Sequence, residues 1–203
     1  MTAIMDRIRD MFDPGPILRR DRPLWAAAHT IDDLADLTAR WLAGDIASQP
    51  SYYGPVDVDE DDAAGLTETL IALNRAGYLT NNSQAGCDVI GARGWQWEQS
   101  AAVTGFAGDD TYRWLCNVIA GTRFEILAGR CQRRGPRVTV TFTDGRPYTE
   151  FGVDGPGDVR FLYGGCDDAA VDALVAAWQV TVYDPEIGSN DLWAHLHDAA
   201  ASR

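Results

Sequence analysis

The amino-acid sequence predicts an α+β protein, a mixed β-sheet core flanked by helices. Three observations carry that prediction. Apolar residues recur at helical spacing through the first third of the chain. They alternate with polar residues through much of the middle, and they return to helical spacing at the end. The order of elements is therefore helices, strands, helix, strand, helix. At 203 residues the chain suits one sizeable domain, and such a chain buries about 70% of the surface its unfolded form exposes. No internal repeat is visible, and no apolar run approaches the roughly 20 residues that span a bilayer.

Residues 1–24 read as an appendage. "MTAIMDRIRDMF" sets Ile4, Ile8, Met11 and Phe12 on one helical face, and Asp13, Pro14, Gly15 and Pro16 end it. Only two arginines accompany two aspartates there, so docking on the protein's own body or on a second subunit is expected rather than a membrane. Residues 25–203 read as a single domain. Thr30 is the expected N-cap of a helix with Asp32 and Asp33 in its first turn, a stripe of Leu34, Leu37, Trp41 and Leu42, and a stop at Gly44. An acidic run, Asp57 to Asp62, leads into a second helix that buries Leu66, Leu70, Ile71 and Leu73 and ends at Gly77. "YLT" reads as a short strand, "WQWEQSAAVTGF" as a strand or buried segment, and "DDTYRWLCNVIAG" as a third helix. "FEILAGRCQ" and "RVTVTFT" read as strands, "DGRP" as a turn, and "YTEFGV" and "VRFLYGG" as further strands. A helix over 167–178, the strand "VTVYD" and a last helix from Asn190 complete the chain.

The charge is −13, and all seventeen basic residues are arginine, the signature of a GC-rich genome. Such acidity argues against a nucleic-acid backbone as partner, because phosphate contacts need positive surface. Cys87, Cys116, Cys131 and Cys166 form no C-x-x-C pair and read as reduced thiols of the cytoplasm. Asp57, Asp59, Asp61 and Glu68 fall at positions 1, 3, 5 and 12 of a calcium loop. Asp62 occupies the glycine position, however, and Pro50 and Pro55 exclude an entering helix, so an acidic helix start explains them better. His195 and His197, two apart on a helix, point to different faces and make poor joint metal ligands. No G-x-S-x-G elbow, kinase signature or P-loop occurs.

The stretch "NRAGYLTNNSQAG" (74–86) is the informative one. Five hydrogen-bonding residues, Thr80, Asn81, Asn82, Ser83 and Gln84, follow directly on a strand. Within "LIALNRAGYLTNNSQAG", Asn74, Gly77, Leu79, Thr80, Asn82, Ser83 and Gln84 fall on the pattern L-x-x-x-N-x-x-G-x-L-T-x-N-S-Q-P. The segment resembles the C-terminal regulatory domain of eukaryotic methylenetetrahydrofolate reductase, which binds S-adenosylmethionine. The likeness continues in order. It takes in "DLADLTARWLAGDIASQP", "WEQSAAVTGFAGDDTYRWL", "VTVTFTDGR" and "VYDPEIGSNDLWAHLHDA", so that it covers about residues 25 to 201. A group of uncharacterised actinobacterial proteins is similar in arrangement. Three departures stand out. The reductase's catalytic barrel, about 250 residues, is absent. The proline after the glutamine is Ala85. The Glu-Thr pair that contacts ligand falls on Asp62 and Ala63, which keeps the acid and loses the hydroxyl.

The resemblance implies an adenosyl-ligand site built from Asp62, Thr80, Asn82, Ser83, Gln84 and Thr139. Thr80, Ser83 and Gln84 would satisfy carboxylate or ribose oxygens, Asp62 the ammonium or the diol, and Thr139 a third side. The competing expectation is that Asn82 and Ser83 cap a turn which Gln84 braces. Three functions follow. The first is a non-catalytic sensor or sequestering module for S-adenosylmethionine or S-adenosylhomocysteine, with no metal. The second is an enzyme acting on an adenosyl ligand, with Asp62, Glu98 and Tyr78 as its only candidate groups. The third is a protein-interaction or antagonist module of actinobacterial or phage origin, using the acidic surface, a protein partner or a homodimer.

Overall fold

The computed structural model describes residues 17–18, 20–50, 65–91 and 94–203. The expected appendage helix and the acidic run that contains Asp62 lie outside those residues. The described helices are α1 (Arg22–Ala26), α2 (Ile31–Leu42), α3 (Leu66–Arg75), α4 (Asp109–Ile119), α5 (Pro156–Leu162), α6 (Asp168–Ala176) and α7 (Asp191–Ala201). The strands are β1 (Leu79–Gln84), β2 (Cys87–Ile90), β3 (Gln96–Gln99), β4 (Ala102–Ala107), β5 (Glu125–Arg130), β6 (Arg137–Thr143), β7 (Arg146–Gly152) and β8 (Trp178–Tyr183).

The class is α+β, as expected. The strands divide into two four-stranded sheets, ordered β1-β4-β8-β5 and β2-β3-β6-β7, and every described pairing is antiparallel rather than mixed. The cause is local. "WQWEQSAAVTGF" breaks at Ser100–Ala101 into two strands that serve different sheets. β2–β3 and β6–β7 are joined by short turns, which permit only antiparallel pairing. The two sheets meet where Ala102 packs against Val140 and Phe151.

The helix starts follow their caps. Thr30 accepts the N–H of Asp33, whose carboxylate accepts the N–H of Thr30 and of His29, closing a capping box worth about 1 kcal/mol. One apolar core joins Leu34 and Leu37 of α2, Leu70 and Leu73 of α3, Val103 and Phe106 of β4, and Leu192, Trp193 and Leu196 of α7. Residues 17–18 and 20–24, grouped with the appendage by their pattern, belong to this body. Ile17 is buried, and the buried Asp21 carboxylate accepts the Ser48 hydroxyl at 2.7 Å and the Ala47 N–H at 3.1 Å. Trp25, fully buried, donates its indole N–H to Ser48 O; its burial contributes about 4–6 kcal/mol at roughly 25 cal/mol per Å².

One expected strand is a helix. "VRFLYGG" shows Val159, Phe161 and Tyr163 in alternation, but the segment forms α5 and its end. Pro156 stands at the first helical position, and Asp158 accepts the N–H of Gly155. Val159 and Tyr163, four apart, are buried, whereas Phe161 between them is 65% exposed. A spacing of four rather than two therefore governs the burial.

Candidate functional site at the end of strand β1

The site is built from the exit of α3. Gly77 takes φ of +81°, with the N–H of Tyr78 on Leu73 O and that of Gly77 on Asn74 O, the two bonds of a Schellman motif. The chain then turns back along the helix as β1. Asn74, itself buried, governs the strand's first residues. Its Nδ2 donates to Leu70 O (2.8 Å) and to the Thr80 hydroxyl (2.6 Å), and its Oδ1 accepts the N–H of Thr80 (3.1 Å). Thr80 is thereby an acceptor toward Asn74, and its own O–H proton is left for another acceptor.

A bulge at Asn81 then resets the alternation. Thr80 pairs with Gly105 and Ser83 with Val103, so these two share a face. Asn82 pairs with Thr104 and Gln84 with Ala102, on the opposite face. The bulge needs glycine opposite it, because a Cβ on Gly105 would lie 2.2 Å from Leu79 O and 2.9 Å from Thr80 Cα. Ser83 is half-buried, and its hydroxyl has no hydrogen-bond partner among the described residues. Asn82 is exposed, and its side chain accepts the N–H of Ser83.

Gln84 joins the two sheets. Its Nε2 donates to Ser100 O and Val140 O, both at 2.9 Å, and its Oε1 accepts the Thr141 hydroxyl at 3.1 Å. Gln99 extends the bridge, accepting the Trp97 indole N–H and donating to Ala85 O. With both amide ends occupied, Gln84 acts as the brace. Thr139 stands apart from it. It pairs with Glu150 while Thr141 pairs with Thr149, so a bulge at Val140 turns the two threonines to opposite faces. Thr141, the second of three alternating threonines, is therefore the one that reaches Gln84; nothing in the alternation distinguished it. Asn190, which binds the backbone of Gly86, stands in the sequence as the start of the last helix, and nothing there points to Gly86.

Two groups considered for chemistry are committed elsewhere. Tyr78 is fully buried, and its hydroxyl donates to Val180 O at 2.7 Å. Burial holds that phenol well above its ordinary range, so it stays neutral. His195 Nε2 lies 2.9 Å from Val118 O, with its ring on Phe124, while His197 lines a different surface. That surface is an open groove of about 1340 Å³, edged by His29, Asp32, Glu68, Arg75, Arg113 and His197. Thr80, Asn82, Ser83, Gln84 and Thr139, the predicted site residues among the described ones, do not line it, and its charges of both signs are spread over several helices. The end of β1 is the candidate because the motif residues gather there, with the Thr80 and Ser83 hydroxyls on one face.

A family model described as a domain of unknown function (DUF6919) matches residues 20–203. No curated protein matches the chain.

Proposed function

Given that the chain belongs to the DUF6919 family, we propose that it is a non-catalytic binding module for S-adenosylmethionine or S-adenosylhomocysteine, a sensor or sequestering protein of the cytoplasm. The observation that carries the reading is the bulge at Asn81. It sets Thr80 and Ser83 on the same face of β1, the first with a hydroxyl proton to give and the second with an uncommitted hydroxyl. The resemblance of residues 74–84 to the methylenetetrahydrofolate reductase regulatory domain supplies the ligand class. Such a ligand offers a carboxylate and ribose oxygens, which two hydroxyls on one strand face suit, and an ammonium or diol for Asp62. Gln84 and Asn82 support the strand.

Isothermal titration with both compounds tests this. Micromolar or tighter binding is expected, weakened at least about tenfold in the Thr80→Ala, Ser83→Ala double variant, since each lost hydrogen bond to a charged group is worth about 1.5–3 kcal/mol. Equal binding by the double variant refutes the assignment.

A second reading, an interaction module without small-molecule ligand, has one observation in its favour. Val89, Ile90, Trp95 and Tyr148 are exposed, Ile90 at 72% and Tyr148 at 67%, on the sheet that carries β2 and β7. Absence of binding heat with both compounds, together with a stable protein complex lost on Ile90→Asp, would select it.

A further inference from the structure

We infer that the loop joining β8 to α7, residues 184–190, positions the ligand-contacting end of β1, with Asn190 as the positioning residue and Arg123 as its anchor. The inference rests on the functional reading above and adds residues outside the motif at 74–84.

Asn190 occupies the N-cap position of α7, where an asparagine side chain ordinarily accepts an N–H of its own helix. Here it makes no such bond. Its Oδ1 accepts the N–H of Gly86 at 2.8 Å, and its Nδ2 donates to Gly86 O at 2.9 Å. Both hydrogen bonds thus go to one residue's backbone 104 positions away, three residues beyond Ser83. The loop is pressed against that exit: a Cβ on Gly86 would lie 2.0 Å from Ser189 O, and the N–H of Gly188 donates to Gln99 O at 3.0 Å. Gln99 in turn donates to Ala85 O, so residues 85 and 86 are held from both sides.

Behind the loop stands one guanidinium. Arg123 donates Nε and Nη2 to the two oxygens of the fully buried Asp184 carboxylate, at 3.1 and 2.7 Å. Its Nη2 also reaches the Ser189 hydroxyl at 2.7 Å and Asp191 at 2.8 Å. A planar fork shared among both ends of one short loop restricts its rotation as well as its distance. Asn190 gives up its local cap, and Arg123 fixes the loop that carries it. The device sets the direction of the strand end, and through it the orientation of Ser83.

Asn190→Asp separates positioning from stability. Aspartate is a good N-cap and favours the helix dipole, but it cannot donate to Gly86 O. The expected result is an unchanged or higher melting temperature. Aspartate still accepts the N–H of Gly86, so the loosening is read at Ser83, where amide exchange should be about tenfold faster with β8 unaffected, and S-adenosylmethionine binding about tenfold weaker. Asn190→Ala should show the same two losses with a lower melting temperature, and Arg123→Lys should show them more weakly, keeping charge without the fork. Unchanged exchange at Ser83 overturns the inference, and so does faster exchange with unchanged affinity. A wild-type protein that binds neither compound defeats the functional reading instead, and the exchange rate at Ser83 then decides the clamp by itself.

Discussion

Asn74→Ala is the sharpest perturbation of the site's foundation. Asn74 is 1% exposed and makes three hydrogen bonds, two of them with Thr80. Truncation strands the buried backbone N–H of Thr80, which costs about 1–3 kcal/mol. It also removes the donor to the Thr80 hydroxyl and leaves a small void, which brings the total to about 2–4 kcal/mol. For a domain of this size that lowers the melting temperature by roughly 5–15 °C. Thr80→Val keeps the N–H···Oδ1 bond and leaves Asn74 bonded to Leu70 O, so it should cost only about 1 kcal/mol. Urea unfolding followed by circular dichroism, with the slope unchanged, measures both. Asn74→Asp adds a sign test. It buries a carboxyl beside Leu70 O, so its folded pKa is raised. Its penalty is therefore smallest below about pH 4 and grows as the pH rises. The reasoning is refuted if Asn74→Ala lies within about 0.5 kcal/mol of wild type, the range of ordinary surface changes, or if Thr80→Val costs as much.

Other outcomes follow from named neighbours. Gly105→Ala drives a methyl into the backbone at Leu79 and should cost about 1–3 kcal/mol while weakening ligand binding; a neutral result would deny the close approach at the bulge. Burial pushes the Asp184 carboxyl up, but the bonds from Arg123 and the Glu186 N–H outweigh it and hold it below the usual range. The pair therefore stabilises the fold above the unfolded carboxyl's value and loses that contribution as the pH falls through the lower folded value. In Arg123→Gln the guanidinium's share of that opposition to burial is gone, so the stability gap to wild type should be widest at pH 7 and narrow toward pH 3, as read by chemical denaturation across pH. A constant gap would contradict this. Burial pushes the Cys131 and Cys166 thiols up to about 12; Cys131 is fully buried, so iodoacetamide at pH 8 should label it only after unfolding, by mass spectrometry of digests, whereas half-buried Cys166 should react slowly in the native protein. Labelling of Cys131 in the native protein would show that its pocket opens.

Much of the architecture is legible in the sequence. Thr30 announced α2, Gly77 ended α3, and the acid-led "DDTYRWLCNVIAG" became α4, because caps and apolar periodicity act within a few residues of themselves. Shorter signals failed. Arg22–Ala26 is too brief for a periodic stripe, and Cys87–Ile90 is a four-residue strand with three of its four side chains exposed. In α5 the pair Val159 and Phe161 imitated strand alternation until packing turned one of them outward. The candidate site divided the same way. The motif located Thr80, Ser83 and Gln84, but nothing in it said that Gln84 spends both amide ends as a bridge, or that Thr141 rather than Thr139 meets it.

By itself the sequence determined the α+β class, most of the helices and strands, the absence of a spanning apolar segment, and the stretch that any ligand hypothesis must use. Those properties depend on neighbours a few residues apart, where propensity, capping and hydrophobic period are written directly. Only the tertiary structure decided which faces those residues present. The residue inserted at Asn81 reverses every side chain of β1 beyond it relative to β4, at a close approach that Gly105 farther along the chain admits, and the irregularity at Val140 turns Thr141 alone to the other face before the register is restored at Phe142. The same holds for Asn190, which bonds to its own helix or to Gly86 according to where the loop anchored by Arg123 brings it, a choice made by hydrogen bonds that join residues 61 to 104 positions apart.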